Sequence, residues 1–561
     1  MHGGPRRLTY RAAVTDAATD DADTADDVAD PGHRWEPWPV VPVPPLRPRW
    51  GRALDLVGLA VVALAGVALR VVQRSPLWLD EALSANIAAL PLGDIADQLR
   101  QDGHPPLYYV LLHVWQDVVG DGDTAVRLLS ALLGLALLPL AWDAAGRIGG
   151  RRAAWAAVLL VTLNPFVLRY ATEARMYELV MVLALAGWLV ADHALRRPDL
   201  PRLVGLALIT ATLLWTHYWG MWLCAAAGVG LLVRAGLAHR RGQPVRRTAS
   251  LRVAGALVVG GVLFLPWVPT LIYQSTHTGT PWAEPAVPTE IAAVSLVDLG
   301  GGPAGESIML AVGLALLLAL GLFAAPGTGT RIDLDLHTRP EVRRLALLVL
   351  GTLVVATAAS WVGGAAYATR YFAVVAPLVL VLAGVGAARI GGAASFRIAL
   401  AVVLLLGTVA AVRTAVSRPR TQAGEVADAI EEAQATTGPG ALVLICPDQL
   451  GPALSRELPG DVEAATYPRF ESPRLVDWVD YEERLAGASP EEFAAEALER
   501  AGDRPIWLVW SGTYRTHEGT CEAVANALQG ARPEGTAVVL ADSNAHEQEN
   551  AYLYPAPAPA G

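Results

Sequence analysis

The feature that most constrains this chain is the recurrence of apolar stretches near twenty residues long, separated by short arginine-bearing breaks. A helix needs about 20 mostly apolar residues to cross the hydrocarbon core of a bilayer. No water is available there to bond free N–H and C=O groups, so such a segment must satisfy its backbone internally. Candidate spans lie near 53–72, 124–145, 153–168, 176–195, 200–216, 219–237, 251–273, 308–325, 345–362, 371–388 and 396–416. That makes about eleven helices by the same length criterion. With 53% hydrophobic and only 17% charged residues in 561, the chain carries less charge than a soluble protein of this size. It reads as a polytopic α-helical membrane protein.

An odd number of spans places the termini on opposite sides. Every basic residue other than histidine is arginine, and the arginines set the orientation by the positive-inside bias. With the N-terminus in the cytoplasm, the inner loops carry Arg47, Arg49 and Arg52, then Arg147, Arg151 and Arg152, then Arg196, Arg197 and Arg202. Arg240, Arg241, Arg246 and Arg247, Arg339, Arg343 and Arg344, and Arg389 and Arg397 continue the pattern. Arg413, Arg418 and Arg420 at the outer end of the last span break it. The expectation is a multi-pass plasma-membrane protein, N-terminus inside and C-terminus outside.

Residues 1–50 include the run TDAATDDADTADDVADPGH, too polar to form a core, and are expected to be a disordered acidic cytoplasmic tail. Nothing before residue 50 resembles a cleavable signal, so the first span is expected to act as an anchor. Residues 51–417 form the membrane domain, with a first external loop at about 73–123 that holds two candidate surface helices. A second external stretch, about 274–306, is rich in Pro, Gly and Trp. Residues 418–561 alternate acidic helical stretches such as SPEEFAAEALERA with apolar runs such as ALVLIC and IWLVW. That alternation predicts a small extracytoplasmic α/β domain with a partly parallel sheet. Cys446 and Cys521 fall in it, where either a disulfide or two buried thiols would fit.

Net charge is −10 with no basic face to offset it, which excludes nucleic acid as a partner. No HExxH, phosphate-binding glycine loop, GxSxG or dinucleotide fingerprint stands where it would count, so neither ATP nor a nicotinamide cofactor is expected. Asp80 and Glu81, in LWLDEALS after the first span, suit general-base work on an acceptor hydroxyl, although an acidic pair at a helix start also serves the helix dipole alone. Arg175 in RYATEARMYELV and Arg370 in YATRYFAVVAP lie on the outer side, against the positive-inside trend. A guanidinium fork grips phosphate with two bonds; the alternative for Arg175 is a salt bridge to Glu173. Tyr177 and Tyr371 flank these arginines and join the candidates. His104 in GHPPLYY and His217 in WTHYWG could contact a phosphate or a divalent metal, which the sequence leaves open. Tyr108, Tyr109, Tyr218 and Trp219 could line a sugar or lipid groove, or serve as ordinary interfacial aromatics.

The order LWLDEALS, HPPLYYVLLHVW, TAVRLLSALLGLALLPL, NPFVLRYATEARMYELV, ATRYFAVVAPL resembles the bacterial relatives of the dolichyl-phosphate-mannose-protein mannosyltransferases. It is similar also to the lipid A aminoarabinose transferases of the same GT-C fold class. The likeness covers about residues 53–220, returns at 365–380, and does not reach the tail. It implies a polyprenyl-phosphate-sugar donor and a glycan, lipid or protein acceptor. It further implies Asp80 as base or acceptor-positioning carboxylate, Glu81 as its assistant, and Arg175 and Arg370 on the lipid phosphate. His104 stands where some relatives carry lysine. The activity expected on this basis is sugar transfer with inversion at the anomeric carbon. The alternatives are a transporter or flippase of lipid-linked sugars, for which no internal repeat speaks, and a non-catalytic protein that binds cell wall through its tail.

Overall fold

The computed structural model describes residues 49–71, 75–278, 287–325, 332–363, 367–416, 419–437, 440–460 and 462–557. The acidic tail, Arg47, Arg418 and part of the 274–306 stretch lie outside them. The first helix, α1 (Arg49–Val71), is followed by three short ones, α2 (Leu79–Ala88), α3 (Leu92–Asp102) and α4 (Leu107–Val119). These fill the expected first loop. Next come α5 (Asp123–Leu163), α6 (Pro165–Ala171), α7 (Tyr177–Arg196), α8 (Leu200–Thr216), α9 (Gly220–Arg240), α10 (Pro244–Phe264) and α11 (Val268–His277). The bundle ends with α12 (Pro288–Leu299), α13 (Gly305–Phe323), α14 (Arg343–Gly363), α15 (Ala376–Arg389) and α16 (Ala393–Val416).

Among the described residues, seven helical stretches are long and apolar enough to cross a membrane, and α8 and α15 are shorter apolar helices. The expected spans 124–145 and 153–168 run together as α5, broken inside by Gly150 at φ 72°, a conformation that glycine alone adopts without strain. The span expected at 371–388 starts later. A 3-10 turn, Thr369–Val374, precedes α15 and presents Arg370 instead of continuing the helix. Small residues let α15 pack deep in the bundle: a Cβ on Gly386 would overlap the Leu317 carbonyl oxygen of α13.

Chain reversals alternate between the two ends of the bundle. At one end Arg344 bonds Asp192 and Arg389 bonds Glu341. At the other lie α2–α4, the α6–α7 turn, the α8–α9 turn, the 3-10 turn before α15, and the C-terminal layer.

That layer begins with α17 (Ala423–Thr437) and holds five strands: β1 (Leu442–Cys446), β2 (Glu463–Thr466), β3 (Ile506–Trp510), β4 (Thr536–Val539) and β5 (Asn550–Tyr554). Its other helices are α18 (Gly451–Glu457), α19 (Tyr481–Ala486), α20 (Pro490–Ala501) and α21 (Thr520–Ala531). The strand order is β2-β1-β3-β5-β4, parallel across β2-β1-β3 and antiparallel through β5. β1 and β3 are buried, apolar and β-branched, as strands covered on both faces must be. A Cys446–Cys521 disulfide ties β1 to α21.

The layer docks on the first loop and on the end of α11 through backbone as well as side chains. Asn86 Nδ2 donates to Arg474 O (2.8 Å), Trp478 N to Gln101 O (3.2 Å), Asp480 N to His277 O (2.9 Å), and Arg456 to Asp121 O (2.6 Å).

Candidate active site

Helix α2 carries both acids in its first turn, where carboxylates are favoured by the helix dipole. One helical step of about 100° points them in different directions. Asp80 is the less enclosed of the two, its side chain 18% exposed. Its Oδ2 accepts from Arg370 at 2.6 Å and lies 3.8 Å from Arg175; Oδ1 has no bond among the described residues. Burial acts to raise the Asp80 pKa, but the Arg175 and Arg370 guanidiniums outweigh it and hold the carboxyl below its ordinary value.

Arg175 is itself buried. It donates to Ser84 Oγ (2.9 Å) and the Asp80 carbonyl (3.3 Å), and its NH2 lies 3.3 Å from His104 Nε2. His104 is oriented from behind: Asp102 Oδ2 takes its Nδ1 at 2.8 Å and the Tyr109 hydroxyl at 2.9 Å. Burial works to raise the Asp102 pKa, and His104, Arg175 and the Tyr109 hydroxyl together hold it down. His217 lies beyond, its ring 6.3 Å from that of His104 and 5.5 Å from Tyr371. Burial first, then His104 and the arginines, push its pKa well below the ordinary value, and its buried Nε2 has no partner among the described residues. Tyr177 packs against His217 and Tyr170. Tyr371 stacks on Trp219 at 4.7 Å. The result is a cationic end with an aromatic wall, and one carboxylate in its mouth.

Glu81 has a different environment from the one expected. It is fully buried. Oε1 accepts from Arg127 Nε (2.8 Å) and Ala174 N (2.9 Å), and Oε2 from Arg127 NH2 (2.7 Å) and Arg420 NH1 (2.9 Å). Burial opposes ionisation, yet Arg127 and Arg420 hold its pKa down at about 2. All its lone pairs face protein, which corrects the expectation that Glu81 orients an acceptor or a metal. Arg420 also explains part of the outer arginine exception, because it anchors on Glu81 and Thr172. Arg413 pairs with Glu306 at 2.7 Å.

Three other candidates point elsewhere. Glu173, the alternative partner of Arg175, pairs with Arg169 at 3.2 Å. Tyr218 bonds Gln274 and accepts from Trp267 at 2.9 Å, and none of these partners is among the residues around Asp80. Tyr108 is buried beneath Arg175 with its hydroxyl 3.4 Å from Ser130. Each serves the wall and not its surface.

The sequence reading missed Arg127, Asp102 and the C-terminal contributors to the site. Arg127 stands four residues into TAVRLL at the head of α5, and an arginine entering a span could have signalled it. His546 packs edge-on to Trp78 at 5.0 Å and acts electrostatically on Asp80; Glu547 Oε1 accepts from Leu79 N at 2.9 Å. No local pattern marks either. Among the described residues, the side chains close enough together to ligate an ion are Cys446, His517 and Cys521, and both sulfurs are in the disulfide.

The fold is similar to those of known proteins. Over 91% of this chain and 99% of the other, the fold superposes on ArnT from Cupriavidus metallidurans bound to undecaprenyl phosphate, with a TM-score of 0.57 at 15% identity. The apo ArnT structure gives 0.58 at 13%, covering 90% and 98%. Arabinosyltransferase EmbB from Mycobacterium smegmatis aligns at 0.38 and 21% identity over 61% of this chain and 31% of its own. No curated protein sequence matches. Residues 103–268, from the Asp102–His104 corner through α10, match the profile of the dolichyl-phosphate-mannose-protein mannosyltransferases, and the chain is a multi-pass membrane protein resembling the GT-C glycosyltransferases.

Proposed function

We propose that this protein transfers a sugar from a polyprenyl-phosphate carrier to a hydroxyl of a cell-envelope acceptor, with inversion at the anomeric carbon. The observation that carries this reading is the convergence of Asp80, Arg175, Arg370 and His104, from three separate parts of the chain, into one cluster at the bundle end. A phosphate is the natural ligand of two guanidiniums whose present counter-ion is a single carboxylate. The undecaprenyl phosphate named for the ArnT structure is a ligand of this class.

The geometry supports a coupled mechanism. Without donor, Asp80 neutralises the two arginines and is a poor base. The donor phosphate competes for the same guanidiniums and brings negative charge, so the Asp80 carboxyl loses its lowering influences and gains basicity. Asp80 then takes the proton of the acceptor hydroxyl, whose oxygen attacks the anomeric carbon opposite the C–O bond to phosphate. That bond breaks as the new one forms, and the polyprenyl phosphate leaves on Arg175 and Arg370, which stabilise the charge it gains. His217 and the Tyr371–Trp219 stack supply a polar edge and a flat face for the sugar. By the arginine bias the cluster and the layer over it face the outside, with residues 51–417 as the transferase bundle and 418–561 as its extracytoplasmic cover.

The test is mass spectrometry of envelope lipids and glycans in a strain lacking this protein. One sugar-bearing product should vanish, return with the wild-type chain, and stay absent with Asp80→Asn. In the same strain Glu499→Cys, on an exposed face of α20, should react with a membrane-impermeant thiol reagent in intact cells. An unchanged product profile overturns the transferase reading, and labelling only after lysis reverses the orientation.

A further inference from the structure

Helix α2 opens without a cap of its own. Its N-cap residue is Trp78, which supplies no side-chain bond, and the first N–H groups of any helix need a partner. The missing acceptor comes from 468 residues away: Glu547 Oε1 takes the Leu79 N–H at 2.9 Å, with the Tyr514 hydroxyl 3.4 Å from the same oxygen. Glu547 is 3% exposed, and its backbone is fixed. Its N–H bonds the Arg420 carbonyl at 2.9 Å, and the neighbouring His546 N–H bonds the Pro419 carbonyl at 3.1 Å. The 419–421 strip that pairs with it sends the Arg420 side chain to Glu81. Two ends of the C-terminal layer thus hold α2, one at its first N–H and one at its buried acid. Asp80 lies between them.

We propose that Glu547 is a positioning residue for sugar transfer, capping the helix that carries Asp80 so that the base is in place only while the C-terminal layer is docked. This rests on the reading of Asp80 as the base. Burial, and then the nearby Glu549 charge, push the Glu547 carboxyl well above the ordinary range; the cap itself needs only one acceptor oxygen at this reach, which an amide also offers. An ordinary cap is a Ser, Thr, Asp or Asn just before the helix, whose side chain accepts from the second or third helical N–H. Here that position holds Trp78, packed on His546, and the capping role passes to the other layer.

The experiment compares the full chain with Glu547→Gln, Glu547→Ala, Glu547→Asp and Asp80→Asn at matched protein levels. Two quantities are read: the rate at which the missing envelope product reappears on induction, and the affinity for undecaprenyl phosphate in nanodiscs. Glu547→Gln should work within twofold of wild type. Glu547→Ala and Glu547→Asp, whose oxygens are absent or one methylene short, should be slowed about tenfold, the scale of one lost cap, with undecaprenyl phosphate affinity within twofold. Equal impairment of Glu547→Gln and Glu547→Ala overturns the capping role. So does a loss of lipid affinity matching the loss of rate, which marks a merely structural residue, or a wild-type rate in both shortened variants. If instead Asp80→Asn makes product, the base assignment fails, whatever Glu547 does.

Discussion

The two sides of helix α2 differ more than any two distant parts of the molecule. On one side Asp80 has one carboxylate oxygen without a bond among the described residues and shares the other with Arg370 and Arg175. On the other side Glu81, its neighbour in sequence, is sealed with both oxygens bonded by Arg127, Arg420 and a backbone amide. Guanidiniums hold both carboxyls below their ordinary values, but their enclosure differs: the Asp80 side chain is 18% exposed and that of Glu81 is fully buried. On the proposed reading, the charge with the less enclosed partners is the functional one.

Replacing each acid by its amide separates the two sides most sharply. Asp80→Asn should cut transfer by ~10²–10⁴-fold, the scale of a general base, with little change in thermal stability. Glu81→Gln leaves two buried guanidiniums uncompensated, which costs about 3–5 kcal/mol, and should appear as a lowered unfolding midpoint in detergent. If Glu81→Gln is as stable as wild type but inactive, the two sides have been assigned the wrong way round.

The cations beside Asp80 come next. Arg370→Ala should weaken undecaprenyl phosphate binding roughly ten- to a hundredfold, the worth of one charge-assisted bond. The residual activity should also lose its acid limb at higher pH: removing a charge that lowers the Asp80 pKa raises it, so the base is protonated over a wider range. Arg370→Lys should recover the pH profile better than the affinity, because a point charge lacks the fork. An unshifted pH profile would uncouple Arg370 from Asp80.

A third buried acid extends the comparison at the smallest scale. Asp448, in the C-terminal layer, accepts from Tyr481 instead of from a guanidinium, and burial pushes its pKa up to about 7. Tyr481 also lies 3.0 Å from His517 Nε2, and burial lowers that imidazole to about 4. The signs oppose. Asp448 binds a proton more tightly when folded, so its contribution is complete below the ordinary aspartate pKa and lost as pH rises through about 7. His517 binds one less tightly, so its contribution is present above the ordinary histidine pKa and lost as pH falls through about 4. From pH ~4 to ~6.5 the two slopes, each at most about 1.4 kcal/mol per pH unit, offset. The unfolding midpoint of Asp448→Asn should therefore rise with pH across that window, and that of His517→Gln should fall. Parallel profiles in both variants would show that the pair does not titrate as described.

Much of the fold was legible because hydrocarbon imposes a length. The expected spans fall on helices of the bundle, with 124–145 and 153–168 merged in α5. The βα alternation of the tail and its cysteine pair were readable for similar local reasons. Within the site, Asp80, Arg175, Arg370, His104 and His217 were found by charge or polarity out of place beside apolar sequence. The pairing of Glu173 with Arg169, the turning away of Tyr218 and the burial of Glu81 were not, because each depends on which way a side chain points once α2, α5 and the α6–α7 turn are packed.

The sequence by itself determined that this chain lives in a bilayer, where its reversals fall, and which charges need an explanation, since hydrophobic period and desolvation cost are properties of segments. Only the tertiary structure decided what explains them. It left Asp80 partly exposed and sealed Glu81 among its partners, and it brought Arg420 and Glu547 from the two ends of the C-terminal layer to hold one short helix. Those are contacts across 339 and 468 positions, set by packing between layers, and no local pattern encodes them.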